Sequence, residues 1–276
     1  MKSVYVDNLS HIRLTEGLIH FNFAAESGID IDMSMNQMLV LQRTLNAFIQ
    51  QLKDNNVLPN GEKPLEERYN PGIFSVPNEE AAKQIILTHE STAASDERWE
   101  KETPALISLM KNAWDLHSGV TIVDYGCGIG RISKELCKYG CTVIGVDISP
   151  EMRKLAVQYV DDPRFFVISP EDFVKLLGDG FTCDYACTIW VLQHCLHPNV
   201  ELDNICKALR QNGELFVVNN KYSRAVPVSD TVWAHDDVDI WKLCSERLQE
   251  QCVVPYPEGL GMDPEQFQYG FYKKTT

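Results

Sequence analysis

The sequence predicts an α/β protein: a mostly parallel sheet with helices on both faces, preceded by a small α+β module. Three observations predict this. From Val120 onward, short apolar runs alternate with amphipathic ones in strand–helix order. Those runs are apolar on both faces, as strands covered by helices on each side must be. The first ~57 residues follow another pattern, period-two alternation and then one helical stripe.

Taken in order, VYVDN, HIRLT and LIHFNFAAE alternate as strands, with Glu16-Gly17 a tight turn between the last two. IDIDM reads as a fourth short strand. A helix is expected from about Ser34, a plausible N-cap, to Asp54. Met38, Leu41, Leu45, Phe48 and Leu52 form its apolar stripe. A β-β-β-α module of residues 1–57 is marginal alone. It is expected to pack on a partner, on the second domain or on a copy of itself. Residues 58–94 read as a linker, broken by Pro59, Gly61, Pro64, Pro71, Gly72 and Pro77, with NEEAAKQIILTHE as a short helix inside it.

The second domain is placed at residues 95–276. DERWEKETPALISLMKNAW leads in as a helix. VTIVDYG, CTVIGVDIS, RFFVIS, CDYACTIWV and ELFVVNN are its strands. IGRISKELCKYG, PEMRKLAVQYV, EDFVKLLG and ELDNICKALRQNG are its helices, the last ending at Gly213. DDVDIWKLCSERLQE and QFQYGFYKK suggest one more helix and an edge strand.

Composition narrows the function. Hydrophobic residues make up 44% and charged residues 23% of the 276 residues, a balance that supports a buried core. No apolar run approaches the ~18 residues of a membrane span, and the polar N-terminus has no secretory h-region. The nine cysteines are odd in number and form no C-x-x-C pair, which suggests reduced thiols in a cytoplasmic protein. Cys183, Cys187, His194, Cys195 and His197 cluster without zinc-ligand spacing, so no metal is expected. A net charge of −14 with no Lys/Arg cluster disfavours nucleic acid and anionic membranes as partners.

The chemistry centres on Val123-Asp124-Tyr125-Gly126-Cys127-Gly128-Ile129-Gly130-Arg131, between a strand and a helix. Glycines there let the backbone turn tightly and approach a ligand. Asp147 ends the next strand, where a carboxylate can accept both hydroxyl protons of a ribose. A dinucleotide fingerprint needs a small residue at 131, and this chain has Arg131. A loop headed by Asp124 suits a ligand with an amine and a sulfonium better than one with a pyrophosphate.

VDYGCGIGR followed by GVDIS is similar to the first two motifs of class I S-adenosylmethionine-dependent methyltransferases. The resemblance continues through RFFVISPEDF, FTCDYACTIWVLQHC and ALRQNGELFVVNN, over about residues 96–220. It implies a Rossmann-like methyltransferase sheet and S-adenosylmethionine as cofactor. It implies cofactor contacts at Asp124, Gly126, Cys127, Gly128, Gly130, Asp147, Ile148 and Trp190, with Glu171 or Asp172 at the adenine amine. Many members put Asp directly after the third strand, where this chain has Ser169-Pro170. The tetrapeptide of many nucleic-acid amino-methyltransferases is absent after the fourth strand, where TIWVLQHC stands.

His194 follows that strand and is the candidate general base. Arg98, Trp99 and Trp190 either cover the ligand or pack as core residues, and Trp233 and His235 have no assigned role. The expected function is methyl transfer to a small-molecule, lipid or glycan-type acceptor. The alternatives are a nicotinamide-dependent oxidoreductase, disfavoured by Arg131, and a non-catalytic module, disfavoured by the intact loop and Asp147.

Overall fold

The computed structural model describes residues 8–15, 18–24, 29–34, 41–45, 47, 63–87, 95–221, 224–229 and 232–275. The chain divides into two compact units, Met1–Lys63 and Pro64–Thr276.

In the first unit β1 (Asn8–Thr15), β2 (Leu18–Ala24) and β3 (Ile29–Ser34) form an antiparallel sheet in that order. Thr15 pairs with Leu18, the pairing expected of strands flanking Glu16-Gly17. Two details differ from expectation. HIRLT is the end of a strand that already begins at Asn8, with a register shift between Leu9 and His11, and the rest of VYVDN lies outside the described residues. Ser34 pairs with Leu18 as the last residue of β3, and the start of the helix expected after it lies outside the described residues. Residues 41–45 and 47 are helical, and the rest of the expected helix lies outside the described residues.

The second unit opens with the segment that was expected to be a linker. A helical turn (Leu65–Arg68), a 3-10 turn (Pro71–Phe74) and α1 (Glu79–Ile86) follow one another. Asn70 accepts from the Gly72 N–H at 3.1 Å and Asn78 from the Ala81 N–H at 2.9 Å. The prolines and glycine therefore shape capped turns, not a tether. Leu87 is fully buried with Leu106, Met110 and Trp114, and Val76 and Ala82 are buried against Ile129 and Met152. Val76, Ala82 and Leu87 thus join this stretch to the core, and Pro64 onward belongs to the second compact unit.

After α2 (Ser95–Ala113) the alternation runs as expected: β4 (Thr121–Tyr125), α3 (Arg131–Lys138), β5 (Thr142–Val146), α4 (Pro150–Val160), β6 (Phe165–Ile168), α5 (Pro170–Gly178), β7 (Cys183–Ile189), α6 (Pro198–Ala208) and β8 (Leu209–Asn220). Ser149 and Ser169 cap α4 and α5, each with proline at the first helical position. A two-stranded ribbon, β9 (Arg224–Pro227) with β10 (Trp233–Asp236), precedes α7 (Ile240–Ser245), β11 (Gln249–Pro255) and β12 (Phe267–Lys273). The main sheet has the order β11-β12-β8-β7-β4-β5-β6. β4 to β8 are parallel, while β12 runs antiparallel to β8 and β11 antiparallel to β12.

The C-terminal expectations need correction. QFQYGFYKK supplies β12, which lies between β8 and β11 and so is interior; β11, whose first two residues Gln249 and Glu250 end the segment expected to be a helix, takes the edge. The helix before β8 ends at Ala208, not at Gly213. Gly213 marks an irregularity inside β8, where pairing with β7 skips from Leu209 to Glu214. A Cβ there would lie 2.9 Å from the carbonyl oxygens of Arg210 and Asp184. A glycine that admits a close backbone looks the same in sequence as a helix stop.

Strand order reverses between β4 and β7, and open α/β sheets bind ligands at the carboxyl ends of strands beside such a switch. A chain beginning at Pro64 should melt cooperatively. One beginning at Ser91 loses the burial of Val76, Ala82 and Leu87, each large apolar side chain being worth roughly 1.5–3 kcal/mol. Urea midpoints of the two chains check this; equal midpoints would return residues 64–90 to the role of a tether.

Candidate functional site

The site starts from backbone that only glycine adopts readily. Gly126 (φ 76°), Gly128 (φ 55°) and Gly130 (φ 84°) all lie in the left-handed region. Space demands glycine as well: a Cβ would lie 2.2 Å from Val191 Cγ2 at Gly126 and 2.6 Å from Ile86 Cδ1 at Gly128. The N–H groups of Gly126 and Cys127 both donate to the Val146 carbonyl, at 2.7 and 3.0 Å. That of Gly128 donates to Asp147 Oδ2 at 2.8 Å, and Ser149 N–H donates to Asp147 Oδ1 at 2.9 Å. Asp147 is 8% exposed. Burial pushes its carboxyl up to about 6, opposed by these two N–H groups.

Beside the loop lies a cavity of about 310 Å³ at the carboxyl ends of β4, β5 and β7. Of the expected site residues, Gly126, Gly128, Asp147, Ile148, Trp190 and His194 line it. The others do not. Asp124 is buried beneath the loop, accepting from Ser133 Oγ at 2.6 Å and Cys187 Sγ at 3.5 Å, and burial raises its carboxyl. It ties α3 to β4 and β7. Cys127 donates its thiol to the Gly128 carbonyl, and Gly130 packs beside Val160. Asp172 is exposed and bound by Lys175 at 2.8 Å, which with Ser169 holds its carboxyl low. Glu171 is also exposed, and Pro170 before them reaches the wall.

The sequence missed two parts of the wall. Tyr69, Phe74, Ile85 and Ile86 come from the segment read as a linker. Tyr125 and Glu201 meet across the cavity, the tyrosine hydroxyl donating to the carboxylate. The helix expected in NEEAAKQIILTHE is present as α1, capped by Asn78, but nothing local shows that it faces the cavity, and nothing local links residues 125 and 201. Among the described residues no group of His, Cys, Asp and Glu has the arrangement of a metal site.

His194 sits in a chain of bonds that fixes its proton. Gln193 Oε1 accepts from the Asn220 N–H at 2.9 Å, so its amide nitrogen faces His194 Nε2 at 3.0 Å. Nε2 therefore accepts, and Nδ1–H donates to the Ala225 carbonyl at 2.6 Å. Burial lowers the imidazole to about 4, partly offset by that carbonyl. The ring also packs on Trp233 at 4.9 Å and on Phe74 at 6.1 Å.

Trp190 holds φ at 61°, an unusual value for a large side chain. Its indole donates to Glu102 Oε1 at 2.9 Å, and its ring packs on Tyr256 and Phe267. Glu102 is fully buried and also takes Arg98 and Arg131, each at 3.0 Å. Arg131 lies 5.5 Å over the Trp99 ring, which meets Tyr159 edge-on. Glu102 and Trp99 thus anchor α2 to the loop helix, and Glu102 also to the end of β7, while Arg98 pairs with Glu102 within α2. Trp233 packs on the rings of His194 and Phe74, while His235 is exposed on β10.

A doubly wound sheet with a glycine loop and an acid after the next strand, both at a cavity beside the switch point, defines a Rossmann-like nucleoside-binding architecture. Residues 123–217 match the family described as "Methyltransferase domain". The matched stretch runs from β4 to β8 of the sheet. Among curated relatives, ubiquinone biosynthesis O-methyltransferases of Coxiella burnetii and Caulobacter vibrioides are 27% identical over 99 residues and 29% identical over 101 residues. Each alignment takes in 36% of this chain and, respectively, 42% and 40% of the relative, so the chain spans about two fifths of the length of the relatives it matches. Among solved structures, magnesium protoporphyrin IX methyltransferase of Synechocystis with bound S-adenosylhomocysteine has a TM-score of 0.51 at 14% identity, covering 70% of this chain and 93% of that one. The N-methyltransferase NodS of Bradyrhizobium japonicum with the same ligand has 0.50 at 15%, covering 71% and 97%. These structures show a shared fold. Among the described residues no helix is long and apolar enough to cross a membrane.

Two outcomes follow from the geometry. Glu102→Gln leaves two buried guanidinium groups facing a neutral amide and should cost about 3–5 kcal/mol in urea unfolding; a loss under about 1 kcal/mol would remove the cluster as an anchor. His194 titrates near 6.5 when unfolded and near 4 when folded. The unfolded chain then binds more protons between these values, so this contribution is full above pH 6.5 and is lost as pH falls toward 4. Asp147, raised when folded, acts with the opposite sign between about 6 and 4. Wild-type stability relative to His194→Asn should therefore fall by up to roughly 3 kcal/mol across that window. A difference independent of pH would show that the ring is not held neutral.

Proposed function

We propose that the chain is an S-adenosylmethionine-dependent methyltransferase acting on a small-molecule acceptor. One observation carries this: a buried Asp147 carboxylate, bonded to the Gly128 N–H, lines the cavity with acceptor capacity left on both oxygens. That is the chemistry a ribose diol needs. Around it, Ile148 is 43% exposed and offers an apolar face for a base, and the Gly126–Gly128 backbone lets a ligand approach closely. The cavity volume falls in the range of small-ligand sites. The residues present therefore fit the cofactor.

When bound, the cofactor supplies an electrophilic methyl group on a sulfonium. The chain supplies position and water exclusion: Trp190 and Val191 close the wall after β7, and Tyr69, Phe74 and Ile86 close it from the opposite segment. His194 is the candidate proton acceptor for an O–H nucleophile. Its Nε2 lone pair is held by the Gln193 amide, which an acceptor hydroxyl would have to replace. The curated relatives are O-methyltransferases, which supports a small hydroxyl-bearing acceptor. A nicotinamide reading is opposed by Arg131, whose side chain fills the position of a small residue and is bound to Glu102.

Calorimetry should show binding of S-adenosylmethionine and S-adenosylhomocysteine and none of NAD or NADP. Asp147→Ala should weaken binding by about 1.5–3 kcal/mol. Affinity in the wild type should fall as pH drops below about 6, because protonation removes an acceptor from Asp147. Tight NAD binding without an S-adenosylmethionine signal would defeat the proposal.

A further inference from the structure

We infer that the acceptor carries a basic amine, held as an ammonium ion by the Glu201 carboxylate within the aromatic wall of the cavity. This rests on the methyltransferase reading and names the substrate class of the same site.

The cofactor accounts for the side of the cavity made by Gly126, Gly128, Asp147 and Ile148. A second carboxylate, Glu201, is left over. It stands in the first turn of α6 and lines the cavity. Its Oε2 takes the Tyr125 hydroxyl, and its Oε1 takes no hydrogen bond from the described residues. Ring-bearing side chains stand around the same space: Tyr69, Phe74, Tyr125 and His194. Burial and the nearby Glu201 charge push the Tyr125 phenol up; burial, Cys195 and Glu201 do the same to Tyr69. This end of the cavity therefore carries a negative field in partly dry surroundings.

No lysine or arginine is among the described residues that line the cavity. Arg224 lies behind the 195–197 wall and is engaged there. Its Nη1 donates to the Cys195 and Leu196 carbonyls, and it grips Asp236 through Nε at 2.8 Å and Nη2 at 2.7 Å. It holds the wall in place with its charge paired to Asp236, while at Cys195 its charge and that of Glu201 act in opposite directions. An ammonium gains a charge-assisted bond to the carboxylate and attraction to ring faces. A carboxylate or phosphate acceptor would meet a like charge with no cation lining the cavity to receive it. A neutral alcohol would gain one hydrogen bond and no charge pairing.

The test uses the full-length protein saturated with S-adenosylhomocysteine and three matched probes: benzylamine, benzyl alcohol and benzoate, titrated by ligand-observed NMR at pH 7.5. Benzylamine should bind about tenfold or more tighter than benzyl alcohol, and benzoate should be weakest. Glu201→Gln should abolish the amine preference, and Glu201→Asp should restore part of it. The Asp variant and melting curves separate loss of recognition from loss of fold. Equal or tighter binding of the alcohol or the carboxylate, an amine preference that survives Glu201→Gln in a folded protein, or no binding by any probe would each overturn the inference. S-adenosylhomocysteine affinity, measured on the same protein, reports separately on the cofactor reading. Its absence beside an intact amine preference would fail that reading alone.

Discussion

The hydrogen bond from the Gly128 N–H to the Asp147 carboxylate joins the loop after β4 to the end of β5, and the site is arranged around it. A turn through three left-handed glycines frees N–H groups from regular pairing. Buried N–H groups need partners. Here the Val146 carbonyl takes two and Asp147 takes one, so the loop lies flat against the neighbouring strand. Asparagine could not replace Asp147 without loss. Both oxygens already accept from backbone, and an amide would turn an N–H toward one of those donors.

The flat loop sets how close other parts can come. Val191 and Ile86 occupy the space that a side chain at Gly126 or Gly128 would fill. One lies after β7 and the other ends α1, so two walls of the cavity touch the loop directly. The Glu102 cluster steadies the same region from the other side. It binds the first residue of α3, the body of α2 and the indole of Trp190. A buried ion cluster of this kind contributes little net stability against an apolar equivalent. What it does here is hold Trp190 at a backbone angle that it would otherwise leave.

Much of this architecture was legible locally. The alternation from β4 to β8, the serine–proline starts of α4 and α5, the glycine loop and the acid after β5 each have a signature within a few residues. The misreadings share a cause. Pro71, Gly72 and Pro77 looked like linker punctuation, yet Asn70 and Asn78 use that punctuation to build capped turns against the core. Gly213 looked like a helix stop, while the β7–β8 pairing makes it part of a strand irregularity. QFQYGFYKK looked like an edge strand because nothing in it reveals that β11 pairs on its far side. His194 stood correctly after β7, but its bonds to Gln193 and Ala225 come from the chain on either side of β8.

The sequence by itself determined the order of strands and helices from β4 to β8, the need for glycine at 126 and 128, and the placing of a carboxylate at 147. These follow from short-range geometry: periodicity, capping and a backbone angle that other residues resist. Only the tertiary structure decided which acids face the cavity. It turned Asp124 inward to Ser133 and Asp172 outward to Lys175, and it set Glu201 against Tyr125 on the wall. The last pairing joins groups 76 residues apart, and the first two, though local, depend on which way packing turns each carboxylate. They are settled when packing removes water and each buried polar atom must find a partner.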